Sequence, residues 1–389
     1  IQKIDSQAFI NELTLRYTPQ EPSVIFREGD WSITESLNLT EKILKENIAD
    51  LACKKDVALG ISGGLDSTLA LLIWSQIGKV PPTYCMGFGQ DEDELVQAET
   101  VAEVFGANSH ALVVENPLER LPEIIAKTGL PKWNLYPYLL YEYAASNGVK
   151  HFVTGEGGDE LFGGYEYRYN GYLASSLKSS TERTWAYLNY HSRDWVLDQE
   201  QLFGAKVGFG WHGIIASLES KFFTLPTSPI CQLFTADYYG KYQGDFGLID
   251  TITAKCHGMD IPSAYLTERM IKFASTVPSS YKFDPLTKKG KTLLRILVRD
   301  HGLPSWVAEN PKKGFGPNTV KLWERCGERI FASLQPMDLV RDGWIRLEWI
   351  NKHIASTDVR HINKMLALLA YEVWYRLNVT DTMSPKERL

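Results

Sequence analysis

Cysteine is scarce in this chain: five in 389 residues, at positions 53, 85, 231, 256 and 326, with no CxxC pair among them. An odd, widely spaced set suits neither a disulfide framework nor a structural zinc site, and a reducing, cytoplasmic setting is expected. The eight histidines form no HExxH or HxxxH pair, which argues against a zinc enzyme. No apolar run reaches the roughly 18 residues that a bilayer span needs. The first residues, IQKIDSQAFINEL, lack a signal-peptide pattern. Neither membrane nor nucleic acid is an expected partner, because 41 Lys and Arg face 47 Asp and Glu, a net charge of −6. Repeats and low-complexity tracts are also missing.

What is present is ordinary for a chain with a large core: 44% hydrophobic and 23% charged residues. At about 100–200 residues per domain, two or three units are expected. We divide the chain into an N-terminal extension (1–45), an α/β core (46–165) and a helical, aromatic-rich part (166–389). Residues 17–24 read as an irregular connector, and apolar spacing predicts a helix over 37–51. Strands are then predicted at 56–61, 83–89, 110–114 and 150–155, with helices at 67–77, 94–105, 117–128 and 136–146, glycines 78 and 106 closing the first two. Such alternation implies a parallel, doubly wound sheet, with ligands at the carboxyl ends of its strands. Beyond residue 165 strand signals fade. The aromatics there read as packing, residues 320–378 as mostly helical, and the last residues (DTMSPKERL) as a loose tail.

Two loops carry chemistry. Ser62-Gly63-Gly64-Leu65-Asp66-Ser67 joins the first strand to a helix, a natural anion site: first-turn N–H groups lack partners, and glycine lets backbone approach phosphate. It lacks the lysine of a Walker loop, and an aspartate beside phosphate calls for Mg2+ between them. Gly155-Glu156-Gly157-Gly158-Asp159-Glu160 ends the fourth strand and reads as flexible backbone that presents carboxylates. Either loop alone could be a solvated turn; together they mark one end of one sheet.

SGGLDS resembles the pyrophosphate loop of the N-type ATP pyrophosphatases. GEGGDELFGGY is similar to the second signature of the asparagine synthetases and their β-lactam, carbapenam and lasso-peptide macrolactam relatives. Gly290-Lys291-Thr292-Leu293-Leu294-Arg295 resembles that family's GK-x-x-LR helix start, and residues 311–316 (PKKGFG) its turn of the same sequence. The resemblance runs from about residue 37 to 325 and implies an adenine-nucleotide α-hydrolase-like fold. It also implies an AMP-forming amide ligase: ATP adenylates a carboxylate, pyrophosphate leaves, and ammonia or an amine captures the acyl group. By resemblance, Ser62, Gly63, Gly64 and Ser67 hold pyrophosphate, while Asp66 and Asp159 bind Mg2+. Backbone near Ile61, Met86 and Gly87 meets the adenine, and Gly155 lies at the nucleotide. Glu156 does acid/base work on the amine, and Lys291 contacts phosphate.

Two departures from the family stand out. Glutamine-using members begin with a glutaminase domain whose first residue is a nucleophilic cysteine. Here residue 1 is Ile and roughly 45 residues precede the synthetase-like part. Cys53 reads as a small core residue. A partner glutaminase, an amine-donor protein or free ammonia is then the expected nitrogen source. Asp260 in Asp260-Ile261-Pro262-Ser263-Ala264-Tyr265 falls where asparagine synthetases carry an arginine, and we expect it to bear on substrate choice. The lactam-forming branch pairs its glutamate with an upstream tyrosine, and none of Tyr136, Tyr138, Tyr141 or Tyr143 can be assigned that part from sequence. An intramolecular or amino-acid-condensing amide or lactam synthetase, a tRNA-modifying pyrophosphatase, a non-catalytic nucleotide-binding paralogue and a homo-oligomer remain open readings.

Overall fold

The computed structural model describes residues 4–89, 93–191, 195–309 and 316–389. Helices α1 (Ser6–Leu15) and α2 (Ile33–Ala52) come first. α2 starts earlier than its apolar spacing predicts, because Ser32 and Glu35 form a capping box, each side chain accepting the other's backbone N–H. Strand and helix then alternate: β1 (Val57–Gly60), α3 (Leu65–Ile77), β2 (Thr83–Gly87), α4 (Asp93–Val104), β3 (Ser109–Val113), α5 (Leu121–Thr128), α6 (Pro137–Ser146), β4 (His151–Val153) and the short α7 (Gly158–Phe162).

The sheet is parallel, in the order β3-β2-β1-β4, so the fold is the expected α/β one. Leu59 of β1 lies opposite Thr83 of β2 on one side and Val153 of β4 on the other. The chain winds outward from β1 to β3, then crosses back to put β4 on the far side of β1. That reversal is the topological switch point, and the crevice at its carboxyl end is where such sheets bind ligands. β2 is buried throughout, and α3 is buried on nearly every side, with Leu69, Ala70, Leu71, Ile73 and Trp74 at most 1% exposed. A helix apolar all round belongs in the interior. That fixes the direction of its N-terminus, and with it the first glycine loop.

The outer edge of β4 is closed by an irregular segment over residues 260–264. Phe152 N donates to Asp260 O at 2.9 Å and Thr154 N to Pro262 O at 3.0 Å. A proline is tolerated there because the edge segment offers its carbonyl to β4 and needs no donor at that position. Past α7 the described residues are mostly helical, with a small hairpin, Phe283–Asp284 with Lys289–Gly290. Its aromatics pack on one another: Tyr169 meets Phe234 and Phe283 edge-on, and Phe9 of α1 meets Tyr371 and Trp344. Residues of the N-terminal extension thus join the C-terminal helical core.

Two expectations need correcting. Cys53 is exposed, because it caps α2 beyond the last buried residue of that helix, Leu51. The C-terminal residues are docked, not loose: Met383 is buried, Thr382 Oγ1 donates to Asp338, and Leu389 N donates to Glu119 O at 3.0 Å. Of the PKKGFG turn, residues 311–315 lie outside the described residues.

Candidate active site

Both glycine loops open at the switch point, one after β1 and one after β4. The first is held by long hydrogen bonds: Ser62 N and Ser62 Oγ each lie 3.3 Å from Ser67 Oγ, and Ser67 Oγ lies 3.3 Å from Gly64 O. Hydrogen bonds of that length are weak. Gly64 is the N-cap of α3 and supplies no side-chain cap, so the positive end of a buried 13-residue helix is turned toward the loop. Ser62, Gly63, Gly64, Asp66 and Ser67 therefore surround an anion-receptive helix end. Ile61 precedes them, tied to β2 through Ile61 N–Tyr84 O at 2.8 Å. Met86 and Gly87 end the neighbouring strand at the same level.

The second loop closes on the first. A Cβ on Gly155 would lie 3.0 Å from Ser67 N, and one on Gly158 would enter the Asp66 carboxylate. These two glycines let the loop backbones approach. Across them, Lys291 Nζ lies 2.5 Å from Asp66 Oδ2 and 2.7 Å from Asp159 Oδ1. Lys291 is only 8% exposed on its side chain and has left-handed backbone (φ 56°), capping the helix Thr292–Asp300. Its spacing from Arg295 now has a physical reason. Arg295 reaches back to Gly290 O at 2.7 Å and to Glu166 at 2.9 Å, while Glu166 also accepts Gly290 N, which pins the turn carrying Lys291.

Glu156 points elsewhere, toward the helical part. The residue is half-buried. Burial pushes the carboxyl well above the usual carboxylate range, and the charge and hydrogen bond of Asp250 push the same way. The charge of Glu160 adds to the upward push, and the Tyr242 hydroxyl acts the other way. The Glu156 carbonyl accepts from Ser263 Oγ at 2.5 Å.

The residues predicted from sequence thus fall into two groups at one strand end: Ser62–Ser67, Asp159 and Lys291 around the α3 N-terminus, and Glu156 beside them. Asp260 is not among them. It bridges to His151 at the amino end of β4, with its side chain 76% exposed, on the side of the sheet away from both loops. The site end of that same segment is three residues later, where Ser263 meets Glu156 and Tyr265 Oη donates to Asp66 O at 2.9 Å. Ser263, Tyr265, Glu166, Asp250 and Tyr242 were missed. Nothing local in the sequence marks Tyr265; Ser263 lies in the segment that the sequence singles out at residues 260–265.

Asp66 and Asp159 fit a hard divalent cation. They are two carboxylates at one point, and Oδ1 of Asp66 is buried with no hydrogen-bond partner. Elsewhere among the described residues Asp198, His353 and His361 bring potential ligand atoms within 4.8 Å. There Asp198 already accepts from Trp349, Lys352 and His353, a network that ties helices together.

A sequence model of the asparagine synthase family matches residues 41–376. A Mycobacterium tuberculosis (strain ATCC 25618 / H37Rv) protein, provisionally named asparagine synthetase (glutamine-hydrolyzing), is 24% identical over 387 aligned residues, covering 88% of this chain and 58% of its own length. Asparagine synthetase (glutamine-hydrolyzing) 1 of Bacillus subtilis (strain 168) is 22% identical over 394, covering 89% and 61%. Asparagine synthetase (glutamine-hydrolyzing) 2 of Oryza sativa subsp. japonica is 32% identical over 136, covering 29% and 22%. The chain spans about six tenths of the length of the first two. The family match takes in both glycine loops, the Lys291 turn and the helices beyond, and with it the chain belongs to the asparagine synthase family.

Proposed function

We propose that the protein is an ATP-dependent, AMP-forming amide ligase. In the first step an acid substrate's carboxylate oxygen attacks the α-phosphorus of ATP, the bond to the bridging oxygen breaks, and pyrophosphate leaves. In the second, an amine nitrogen attacks the acyl carbon, AMP leaves, and one proton passes to a base. The observation that carries this reading is the meeting of Lys291 with Asp66 and Asp159 over an uncapped helix N-terminus at the switch point.

Ser62, Gly63, Gly64 and Ser67 receive the pyrophosphate, whose charge grows as it leaves; fixed N–H and O–H donors are worth most there. Backbone at Ile61, Met86, Gly87 and Gly155 lines the nucleotide. Asp66 and Asp159 hold Mg2+, which when bound neutralises phosphate charge. Lys291 follows the phosphate with its ammonium. Glu156 is the base that takes the amine's proton.

The nitrogen donor is ammonia or an amine. Asp260, exposed at the wrong end of β4, has no part in the reading. A tRNA substrate is disfavoured by the net charge of −6.

The test is incubation with Mg-ATP and a panel of carboxylic acids, with and without ammonium or glutamine, resolving AMP, ADP, pyrophosphate and phosphate. Acid-dependent AMP and pyrophosphate are expected, with amide formed on adding ammonium. ADP and phosphate would overturn the mechanism. Nucleotide binding without turnover against any acid or amine would identify a non-catalytic paralogue instead.

A further inference from the structure

Both glycine loops lean on one short stretch of chain that takes no part in the steps above. Residues 262–267 run along the outer edge of β4, where Thr154 N donates to Pro262 O at 3.0 Å and Ala264 N to Thr154 O at 3.3 Å. α2 holds the same stretch: Asn47 Nδ2 donates to Ala264 O at 2.9 Å and to Thr267 Oγ1 at 3.0 Å. Ser263 is its hub. The hydroxyl donates to Glu156 O at 2.5 Å and accepts from Tyr265 N at 2.9 Å and Leu266 N at 3.3 Å, which uses its one donor and both acceptor positions. The peptide so held leads into Gly157, whose backbone is left-handed (φ 89°) and where a Cβ would lie 2.4 Å from Leu266 Cδ2. Tyr265 is fully buried, its ring edge-on to Phe162 of α7, and its hydroxyl donates to Asp66 O at 2.9 Å. Burial, followed by the charge of Asp66, holds this phenol well above the ordinary tyrosine range, so it keeps the proton it donates.

We propose that residues 263–266 form a bracket that sets the spacing of the two loops, with Tyr265 the positioning residue for Asp66 and Ser263 that for Glu156. The inference rests on the ligase reading, in which Asp66 serves adenylation and Glu156 takes the proton of the amine. Lys291 joins the carboxylates of Asp66 and Asp159, and in that reading its ammonium turns to phosphate during the reaction. The bracket grips backbone instead, through the carbonyls of Asp66 and Glu156, and stays in place when the lysine moves. One rigid stretch, tied to β4 and α2, thus reaches the loop of each step by a different side chain.

The two side chains should therefore fail in different steps. Tyr265→Phe keeps the ring against Phe162 and loses one hydroxyl. The Mg2+ concentration for half-maximal acid-dependent ATP–pyrophosphate exchange should rise about fivefold, the scale of one lost hydrogen bond. The amide formed per AMP should not change. Without turnover, Mn2+ alone, followed by the electron paramagnetic resonance of the free ion, should bind Lys291→Met protein about fivefold less tightly once Tyr265→Phe is added. Ser263→Ala should lower the amide formed per AMP at least threefold. An adenylate whose amine is not relieved of its proton in time is attacked by water at the acyl carbon, returning the acid and AMP. Ser263→Thr, which restores a hydroxyl, should recover the ratio.

A merely structural bracket would slow AMP formation and leave the Mg2+ requirement, the Mn2+ affinity and the amide per AMP in place, which would overturn the inference. Should Ser263→Ala not fold, Tyr265→Phe decides alone through the two metal measurements. Lys291→Met protein that binds no Mn2+ would take Asp66 out of the metal site and overturn the assignment of Tyr265. If the unmodified protein shows no exchange with any acid, the ligase reading falls and the role of Ser263 with it, while the Mn2+ comparison still decides for Tyr265. Exchange with all three quantities unmoved sinks this inference only.

Discussion

Lys291 Nζ lies 2.5 Å from Asp66 Oδ2, joining a helix start late in the chain to the glycine loop after β1. The same ammonium reaches Asp159 from the loop after β4. Two carboxylates brought this close and largely enclosed repel one another unless a cation stands between them. Lys291 supplies that cation without ligand, so three segments of the family pattern are held by one side chain.

Removing it should expose the strain between the acids. Lys291→Met is expected to destabilise the protein by about 1–3 kcal/mol in the absence of divalent metal, the cost of leaving buried charge unpaired. Millimolar Mg2+ should then raise the melting temperature of the variant clearly more than that of the unmodified protein, since the metal binds a carboxylate pair that no lysine contests. Differential scanning calorimetry with and without MgCl2 measures both. Adenylation should fall by at least 100-fold in the variant whatever the metal concentration, if Lys291 meets phosphate during the reaction. Equal metal effects on the two proteins would remove Asp66 and Asp159 from the metal site.

Gly158 has a narrower purpose. Its missing Cβ is what lets the second loop lie against the Asp66 carboxylate, with ordinary negative-φ demands elsewhere in α7. Gly158→Ala should push Asp66 from its position and lower adenylation at least tenfold, with the far-ultraviolet circular dichroism unchanged. Gly208, where a Cβ would meet nothing within 4 Å, is the matched control. Gly208→Ala should keep full activity. If Gly158→Ala does too, close approach of the loops is not required.

Much of this was legible before the fold. SGGLDS and GEGGDE announce themselves by composition, because glycine and acid at a strand end have few structural uses, and both loops do open at the switch point. What could not be read are the side chains that reach the loops from afar. Tyr265 on Asp66 and Tyr141 on Asp250 are separated by 199 and 109 residues, and nothing local in either tyrosine's surroundings marks it. Asp260 shows a different failure. The segment stands out in the sequence, but a strand has two ends, and pairing with His151 puts residue 260 at the amino end of β4 while Ser263 and Tyr265 lie at the carboxyl end. Side-chain identity drew attention to the charged residue; register decides otherwise.

That correction is itself testable. Asp260→Arg should alter stability by no more than about 0.5 kcal/mol, as exposed substitutions do. It should leave the panel of accepted acids and amines unchanged. A changed preference would mean that the carboxylate acts on the site from the opposite end of the strand.

Lys282 offers a prediction about the whole fold. It is 1% exposed, its ammonium nitrogen faces the rings of Phe26 and Phe234 at 4.5 and 5.2 Å, and it donates to Ala274 O. Burial is the main cause that brings its pKa down to about 7, with Cys231 and Glu28 acting the other way. The folded protein therefore binds fewer protons at this site than the unfolded chain does between pH 7 and the ordinary lysine range. Stability must rise with pH across that window, since the unfolded state carries the extra proton. The full shift corresponds to roughly 4–5 kcal/mol, of which a scan from pH 7 to 9 captures about half. Below pH 7 both states bind the proton and the slope from this group vanishes. Urea unfolding at pH 6, 7, 8 and 9 should show the midpoint flat at first and then climbing. Lys282→Met, which keeps the apolar stem against Phe26 and has no charge to lose, should flatten the climb. A climb that survives the substitution would assign it to another group, and a midpoint that falls from pH 7 to 9 in the unmodified protein would show that Lys282 stays charged in the fold, stabilised by the two aromatic faces and the Ala274 carbonyl.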